Sequence, residues 1–443
     1  MEKNKLYAAF GEFEIPIDFG DATSGWIPPT RLVRFKTAPL LGNVAMLKSG
    51  DKMLVLVSLD VLSIDIEDAT DYRNMVAEAL GIGFNDVSVS VTHNHAGPAM
   101  VNCCDGPKDP ALVAEIGKRF LETCLKLKDR LEPAVLGCGF TYENDISWNR
   151  RYILRDGSVW AMPQLDKMDV LYAEGSIDPQ VGVACVRDMK GLAMGYLVNF
   201  ACHPLFYGGQ CIASPNFPGE LRKELKRIER PDCVTLFLNG AAGDISHGDP
   251  FAKTRLSCEA VGKQLAKRSY EVAMKVPYTS DVCLDSVGGS VEIPKRHISD
   301  EHIARAERVL AGETDLVIEP LWHPVSTLPN KDFAAQLIAL RKDADANPTI
   351  EINSQAMRIG DSVWAFTPGE LFSRFGMEIK VGSDERNTFV VAYSNGEIGY
   401  IFHEEAQRRG GYEATPCGGS KTDYRAGDII VENLCDLLAK LKK

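Results

Sequence analysis

Apolar and polar positions alternate along residues 86–91, Asp86-Val87-Ser88-Val89-Ser90-Val91. This is the period of two that sends successive side chains to opposite faces of a strand. Apolar runs of strand length recur at residues 194–200 and 361–366, and each stops at a turn containing proline. Helical spacing shows in other segments. Residues 300–310 repeat their apolar positions at helical intervals, and residues 429–443 do the same before a basic last turn that suits a helix C-terminus. Strands mixed with helices predict an α/β fold, with mixed β-sheets flanked by helices in a layered sandwich. No internal repeat and no low-complexity linker shows in the sequence.

The strand ends carry the candidate chemistry. The chain holds only eight histidines, and two of them, His93 and His95, follow the alternating run one residue apart. In an extended chain both imidazoles face the same way, and Gly97-Pro98 then turns the backbone aside. His203 closes the second run in Ala201-Cys202-His203-Pro204, Glu370 follows the third in Pro368-Gly369-Glu370, and Tyr400 ends a further segment. Ligands bind at the carboxyl ends of strands in open α/β sheets. Two histidines and a glutamate form a catalytic zinc set that leaves room for a water. The plainer readings are hydrogen-bonded core histidines, a core tyrosine at 400 and a helix N-terminal acid at 370.

These segments resemble, in order, motifs of the neutral, non-lysosomal ceramidases, zinc amidases that cleave the N-acyl bond of ceramide. The resemblance runs through Thr92-His93-Asn94-His95-Ala96-Gly97-Pro98, Asn149-Arg150, Ala201-Cys202-His203-Pro204 and Gly243-Asp244-Ile245-Ser246. It continues through Pro368-Gly369-Glu370, residues 394–400 and Gly411-Tyr412-Glu413-Ala414. Residues 38–44 and 53–60 look like the family's first core strands. The resemblance implies zinc held by His93, His203, Glu370 and Tyr400, a catalytic Ser246, His95 and Tyr412 at the scissile amide, and Arg150, His95 and Tyr412 against the substrate. There are departures as well. Ser246 is followed by His247-Gly248 where the family has Pro-Asn, and the family's secretion signal and C-terminal β-sandwich have no counterpart here.

Length and charge bound the rest. The candidate ligands span most of the 443 residues, so residues 1–443 are expected to fold as one domain, with 282–347 a peripheral insertion. A net charge of -12 without a basic cluster argues against nucleic acid. The N-terminus lacks a signal-peptide core, and no apolar run approaches the ~20 residues that span a bilayer. The expected compartment is the cytoplasm, where the twelve cysteines, in no zinc-finger spacing, stay as thiols. Oligomeric state is not fixed by these features.

The expected activity is therefore zinc-dependent hydrolysis of an amide in a small, soluble, intracellular N-acyl compound. Metal-activated water would attack with help from Ser246, as nucleophile or as donor to the oxyanion. Residues 99–110, with Cys103-Cys104, are the expected substrate wall. A zinc esterase or lactonase needs the same groups with a different leaving group, and a non-catalytic metal-containing binding protein would keep the pocket alone.

Overall fold

The computed structural model describes residues 5–25, 31–102, 108–163, 168–252, 254–313 and 330–442. Cys103-Cys104 and the middle of the expected substrate wall lie outside the described residues. The main strands are β1 (Leu6–Ile15), β2 (Leu40–Ser49), β3 (Lys52–Leu59), β4 (Val87–Val91), β5 (Glu132–Tyr142), β6 (Gln180–Asp188), β7 (Ala193–Phe200) and β8 (Val234–Asn239). They are followed by β9 (Leu284–Pro294), β10 (Thr349–Ile359), β11 (Ser362–Phe366) and β12 (Asn387–Val391). The first eight form one mixed sheet in the order β8-β7-β6-β5-β1-β2-β3-β4, and the last four a second sheet in sequence order.

A repeat that the sequence conceals appears in the pairing. β1, β2 and β3 pair antiparallel, and β4 then returns parallel to β3. The same antiparallel, antiparallel, parallel order recurs in β5 to β8 and again in β9 to β12. Each parallel return needs a crossover, supplied by α1 (Ile66–Leu80), α3 (Asn216–Ile228) and α7 (Ser373–Val381). A further helix packs on each unit: α2 (Pro110–Lys128), α4 (Cys258–Ala273) and α8 (Ala426–Lys440). Two units join edge to edge through β1 and β5, and the third stands as its own sheet.

The central strands β3, β7, β8, β11 and β12 read as largely apolar runs because both faces are covered. In β3, Leu54 and Leu56 turn to a core shared by all three units, while Val55, Val57 and Leu59 face the helices. Trp364 and Phe366 of β11 and Leu236 and Leu238 of β8 enter the same shared core. The helices start and stop where their sequences dictate. Asp109 caps α2 by accepting from the Ala111 and Leu112 amides ahead of Pro110, and Gly81 ends α1 in the left-handed region at φ 71°.

The expected boundary of the insertion differs from the structure. Leu284–Pro294 is a full strand of the third unit, paired along its length with β10. Only the chain between β9 and β10, with α5 (Asp300–Ala311) and α6 (Asn330–Ala346), has a small cluster of its own around Ala306, Val309 and Leu337. No motif marks β9, whose run is broken by Asp285, Gly288, Gly289 and Glu292 and is buried only at Leu284, Asp285 and Ile293.

Asp60, directly after β3, receives a bidentate Arg222 from α3, with Nη1 to Oδ1 at 2.9 Å and Nη2 to Oδ2 at 2.5 Å. Both are buried, so the pair bolts the first unit to the second. Asp60→Asn leaves Arg222 without its counter-charge, and denaturant unfolding is expected to show a loss of about 3–5 kcal/mol. Joint replacement, Asp60→Leu with Arg222→Met, is expected to recover most of it. An Asp60→Asn protein as stable as the parent contradicts this role.

Candidate metal centre

The third and fourth strands of the three units end at one place. Asn239 Nδ2 donates to the Thr92 carbonyl at 3.1 Å, the Ala392 amide to the Asn239 carbonyl at 3.0 Å, and the Val91 amide to the Tyr393 carbonyl at 3.0 Å. These bonds link first, second and third units in a closed circuit. Asn199 adds two bonds of 2.8 Å to the Leu238 and Val390 carbonyls. Backbone groups left over at the strand ends are thereby satisfied in the interior.

Around this circuit each unit supplies one candidate ligand. His93 lies two residues past β4, His203 three past β7 and Glu370 four past β11. The sequence reading has His93 and His95 on an extended strand, but β4 ends at Val91 and His93 takes φ 63°. Few non-glycine residues adopt this left-handed conformation, which clusters at functional sites. The turn, rather than the pleat, brings the two rings to a centroid separation of 4.8 Å. Tyr393, two residues past β12, repeats the turn at φ 54° and lies 4.2 Å from the His93 ring.

Glu370 Oε2 lies 3.3 Å from His93 Nε2 and 3.3 Å from His203 Nε2. His93 Nδ1 is 3.0 Å from the Leu62 carbonyl, which assigns its proton there and leaves a lone pair on Nε2. His95 Nδ1 faces the Gly25 carbonyl at 2.7 Å, so its Nε2 is likewise a bare acceptor. Neither Glu370 Oε2 nor His95 Nε2, both buried, takes a hydrogen bond among the described residues. His93 Nε2 and Glu370 Oε2 are acceptors aimed at one another without a proton between them, and they repel unless a cation sits among them. The spacing suits one: ligands about 2.0–2.2 Å from a tetrahedral zinc stand about 3.3–3.6 Å apart. Ligand atoms of His93, His95 and His203 all fall within 4.8 Å of each other.

Arg150 borders this cluster. Its Nη2 donates to Tyr400 Oη at 3.1 Å, its Nη1 lies 3.4 Å from His203 Nε2, and its Nε donates to Glu413 Oε1 at 2.6 Å. Glu413 Oε2 takes Arg151 Nη1 at 2.6 Å, and Arg151 also pairs with Glu174. Tyr400 pairs with Glu370 in a short parallel bridge, which fixes the two against each other. The Tyr412 ring is 5.7 Å from that of Tyr400, with the Arg150 guanidinium 5.7 Å above it. Ser246 pairs with Trp148 and Ile245 with Asn149, while the Arg150 amide bonds the Asp244 carbonyl at 2.8 Å. Ser246 thus lies in the strand beside Arg150, buried, with its hydroxyl free of any described partner.

Charge is arranged to match. Burial works against ionised Glu370, yet His93 and His203 outweigh it and hold the carboxyl well below its usual range. Burial and then Arg150 push His203 down to about 3, and burial and the neighbouring imidazoles lower His95 well below its ordinary value. Both rings stay neutral at physiological pH, the form in which imidazole binds a metal. Burial, with Glu370 adding to it, raises Tyr400 far above the ordinary phenol. Asp244 is pushed up to about 6 by burial despite bonds from Ser373.

Sequence reasoning did not single out Gly25, Glu174, Arg151 or Tyr393. Gly25 contributes only a carbonyl, which no side-chain motif can announce. Gly243 matters through its missing Cβ, which would stand 2.3 Å from the Glu370 carbonyl oxygen.

No protein-family model matches the chain, and no curated protein matches it in sequence. Solved structures do. Neutral ceramidase from Pseudomonas aeruginosa superposes with a TM-score of 0.72 at 16% identity, over 99% of this chain and 74% of that one. A ceramidase complexed with C2 superposes with a TM-score of 0.71 at 17% identity, over 98% of this chain and 75% of that one. The chain therefore has the neutral ceramidase fold.

Proposed function

We propose that the protein is a zinc-dependent hydrolase of a small, soluble N-acyl compound. The observation that carries this reading is the pair of 3.3 Å separations joining His93 Nε2 and His203 Nε2 to an unpartnered Glu370 Oε2. His93, His203 and Glu370 would hold the ion, with Tyr400 as fourth ligand beside Arg150. Bound there, zinc lowers the pKa of its water to about 7 and polarises a carbonyl.

The chain's own groups divide the remaining work. His95 Nε2 is an acceptor, since its proton faces Gly25, so it orients the attacking water and takes its proton. Arg150 and Tyr412 flank the Tyr400 side, where guanidinium and phenol favour developing negative charge and Tyr412 can pass a proton to the leaving amine. The Ser246 hydroxyl, buried and unpartnered, is available to donate to the oxyanion without first breaking another bond. A cytoplasmic location belongs to this proposal, and the described cysteines, all thiols, agree with it. No helix among the described residues is long and apolar enough to cross a membrane.

Elemental analysis is expected to find one zinc per chain, removed by chelation and absent from a His93→Ala, His203→Ala variant; full occupancy in that variant refutes the ligand set. Gly243→Ala should displace the Glu370 backbone and weaken zinc affinity by about tenfold or more, as judged by competition with a chromogenic chelator. Unchanged affinity means that the loop yields without moving the ligand. Ser246→Ala should keep its zinc and lose on the order of a hundredfold to a thousandfold in kcat toward short N-acyl amines. Parent-like turnover removes Ser246 from the mechanism, and cleavage of esters alone replaces the amidase reading with an esterase.

A further inference from the structure

Glu397 is a carboxylate that the proposed hydrolysis leaves unused. Every other residue from Thr388 to Phe402 is buried, but Glu397 keeps accessible surface. Its neighbours place it at the cluster. Ser63 Oγ donates to Oε2 at 2.8 Å, and Ser63 follows Leu62, whose carbonyl faces His93 Nδ1. The Gly399 amide donates to Oε1, and the Gly399 carbonyl accepts the Glu370 amide at 2.9 Å. Glu397 is thus joined by one short link to the His93 side of the centre and by another to the Glu370 side.

Both of its donors are neutral. No ion pair to Glu397 forms among the described residues, and Lys108, which reaches the segment just after Ser63, is engaged by Asp65 and Asp68. Burial and then the charge of Glu370 raise the carboxyl, with His93 in opposition. A recessed carboxylate without a counter-ion, on a residue that keeps some accessible surface, is costly as it stands, and a cation arriving from solvent relieves that cost. By contrast, the flank next to Ser246 is an aromatic wall. The His247 ring packs on Phe206 at 3.9 Å, and burial, then Arg255, lowers His247 to about 4, so it is neutral.

We infer that Glu397 selects substrates carrying a cationic group, such as an amide of a diamine or of an amino acid with a free ammonium. This inference rests on the amide-hydrolase reading of the same site. It departs from a lipid amide, whose two arms offer no cation.

The test compares the zinc-loaded protein with its Glu397→Gln variant, in which the shape persists, Oε1 still accepts from the Gly399 amide and the Ser63 hydroxyl turns to accept from the new amide. Substrates are length-matched: monoacetylated diamines, aminoacyl alkylamines and uncharged N-acetyl alkylamines. The parent is expected to favour one cationic class by tenfold or more in kcat/KM, mainly through KM. Glu397→Gln should bring the ratio to within about twofold at unchanged zinc content. The class that shows the preference tells whether the cation belongs to the amine or the acyl arm. No preference in the parent, or one that survives in Glu397→Gln, overturns the inference. Should no amide be cleaved, the amide-hydrolase reading fails separately. Calorimetric titration with a monoacetylated diamine then decides: binding lost in Glu397→Gln sustains the role of Glu397, whereas equal or absent binding in both proteins ends it.

Discussion

The structure depends on closing three strand-ended units around a single polar point. Each unit ends its parallel strand pair at Leu59 and Val91, at Phe200 and Asn239, or at Phe366 and Val391. Beyond these residues the ladders stop, and unpaired backbone groups face the interior. Such groups cannot be left bare. The circuit of Thr92, Asn239, Ala392, Tyr393 and Val91 satisfies them by joining one unit to the next. The closure fixes the directions in which the chain leaves each strand. It also brings one ligand-type side chain from each unit to the same few ångströms, although His93, His203 and Glu370 are far apart in sequence.

Assembly of that point requires unusual charge management. Arg150, Glu413, Arg151 and Glu174 form a chain of alternating sign, almost wholly removed from water. A buried chain of this kind contributes little net stability, because desolvation offsets much of the attraction. Its value is geometric. Glu413 holds both arginines, so the Arg150 guanidinium is fixed between Tyr400 and His203 and cannot collapse onto Glu370. Burial and the Arg150 and Arg151 charges act in opposition on Glu413, and the arginines prevail, keeping it ionised.

Much of this was legible in the sequence, for physical reasons that differ from element to element. The strands at Val87–Val91, Ala193–Phe200 and Ser362–Phe366 and the helices at Asp300–Ala311 and Ala426–Lys440 lie close to where apolar periodicity sets them. A proline or glycine after each strand marks the junction, so His93, His203 and Glu370 stood out as strand-end residues. The repeat did not show. A strand buried on both faces demands apolar character without demanding particular residues, and three units can share a topology with no shared sequence. β9 is hidden for another reason: mostly part-exposed, with paired glycines and polar residues in its run, it lacks the apolar pattern that marks a strand. Gly25 and Gly243 act through a carbonyl and a missing methyl, and neither leaves a side-chain signature.

The division of labour between strands and turns bears on what can vary at such a centre. The candidate ligands sit on backbone pinned from two or three units, so a small shift in any of them disturbs the circuit itself. His95, His247, Glu397 and Tyr412 differ in kind: each is only partly buried, and each is borne by a turn or loop beyond the strands. Substitution there changes the walls while leaving the circuit intact. A fold shared with ceramidases therefore constrains the position of the candidate centre more tightly than the chemistry of its walls. The neutral His247 on Phe206 and the uncompensated carboxylate of Glu397 make opposite demands on a ligand, one for a flat uncharged surface and one for a cation. A long, uniformly apolar molecule meets at most one of them.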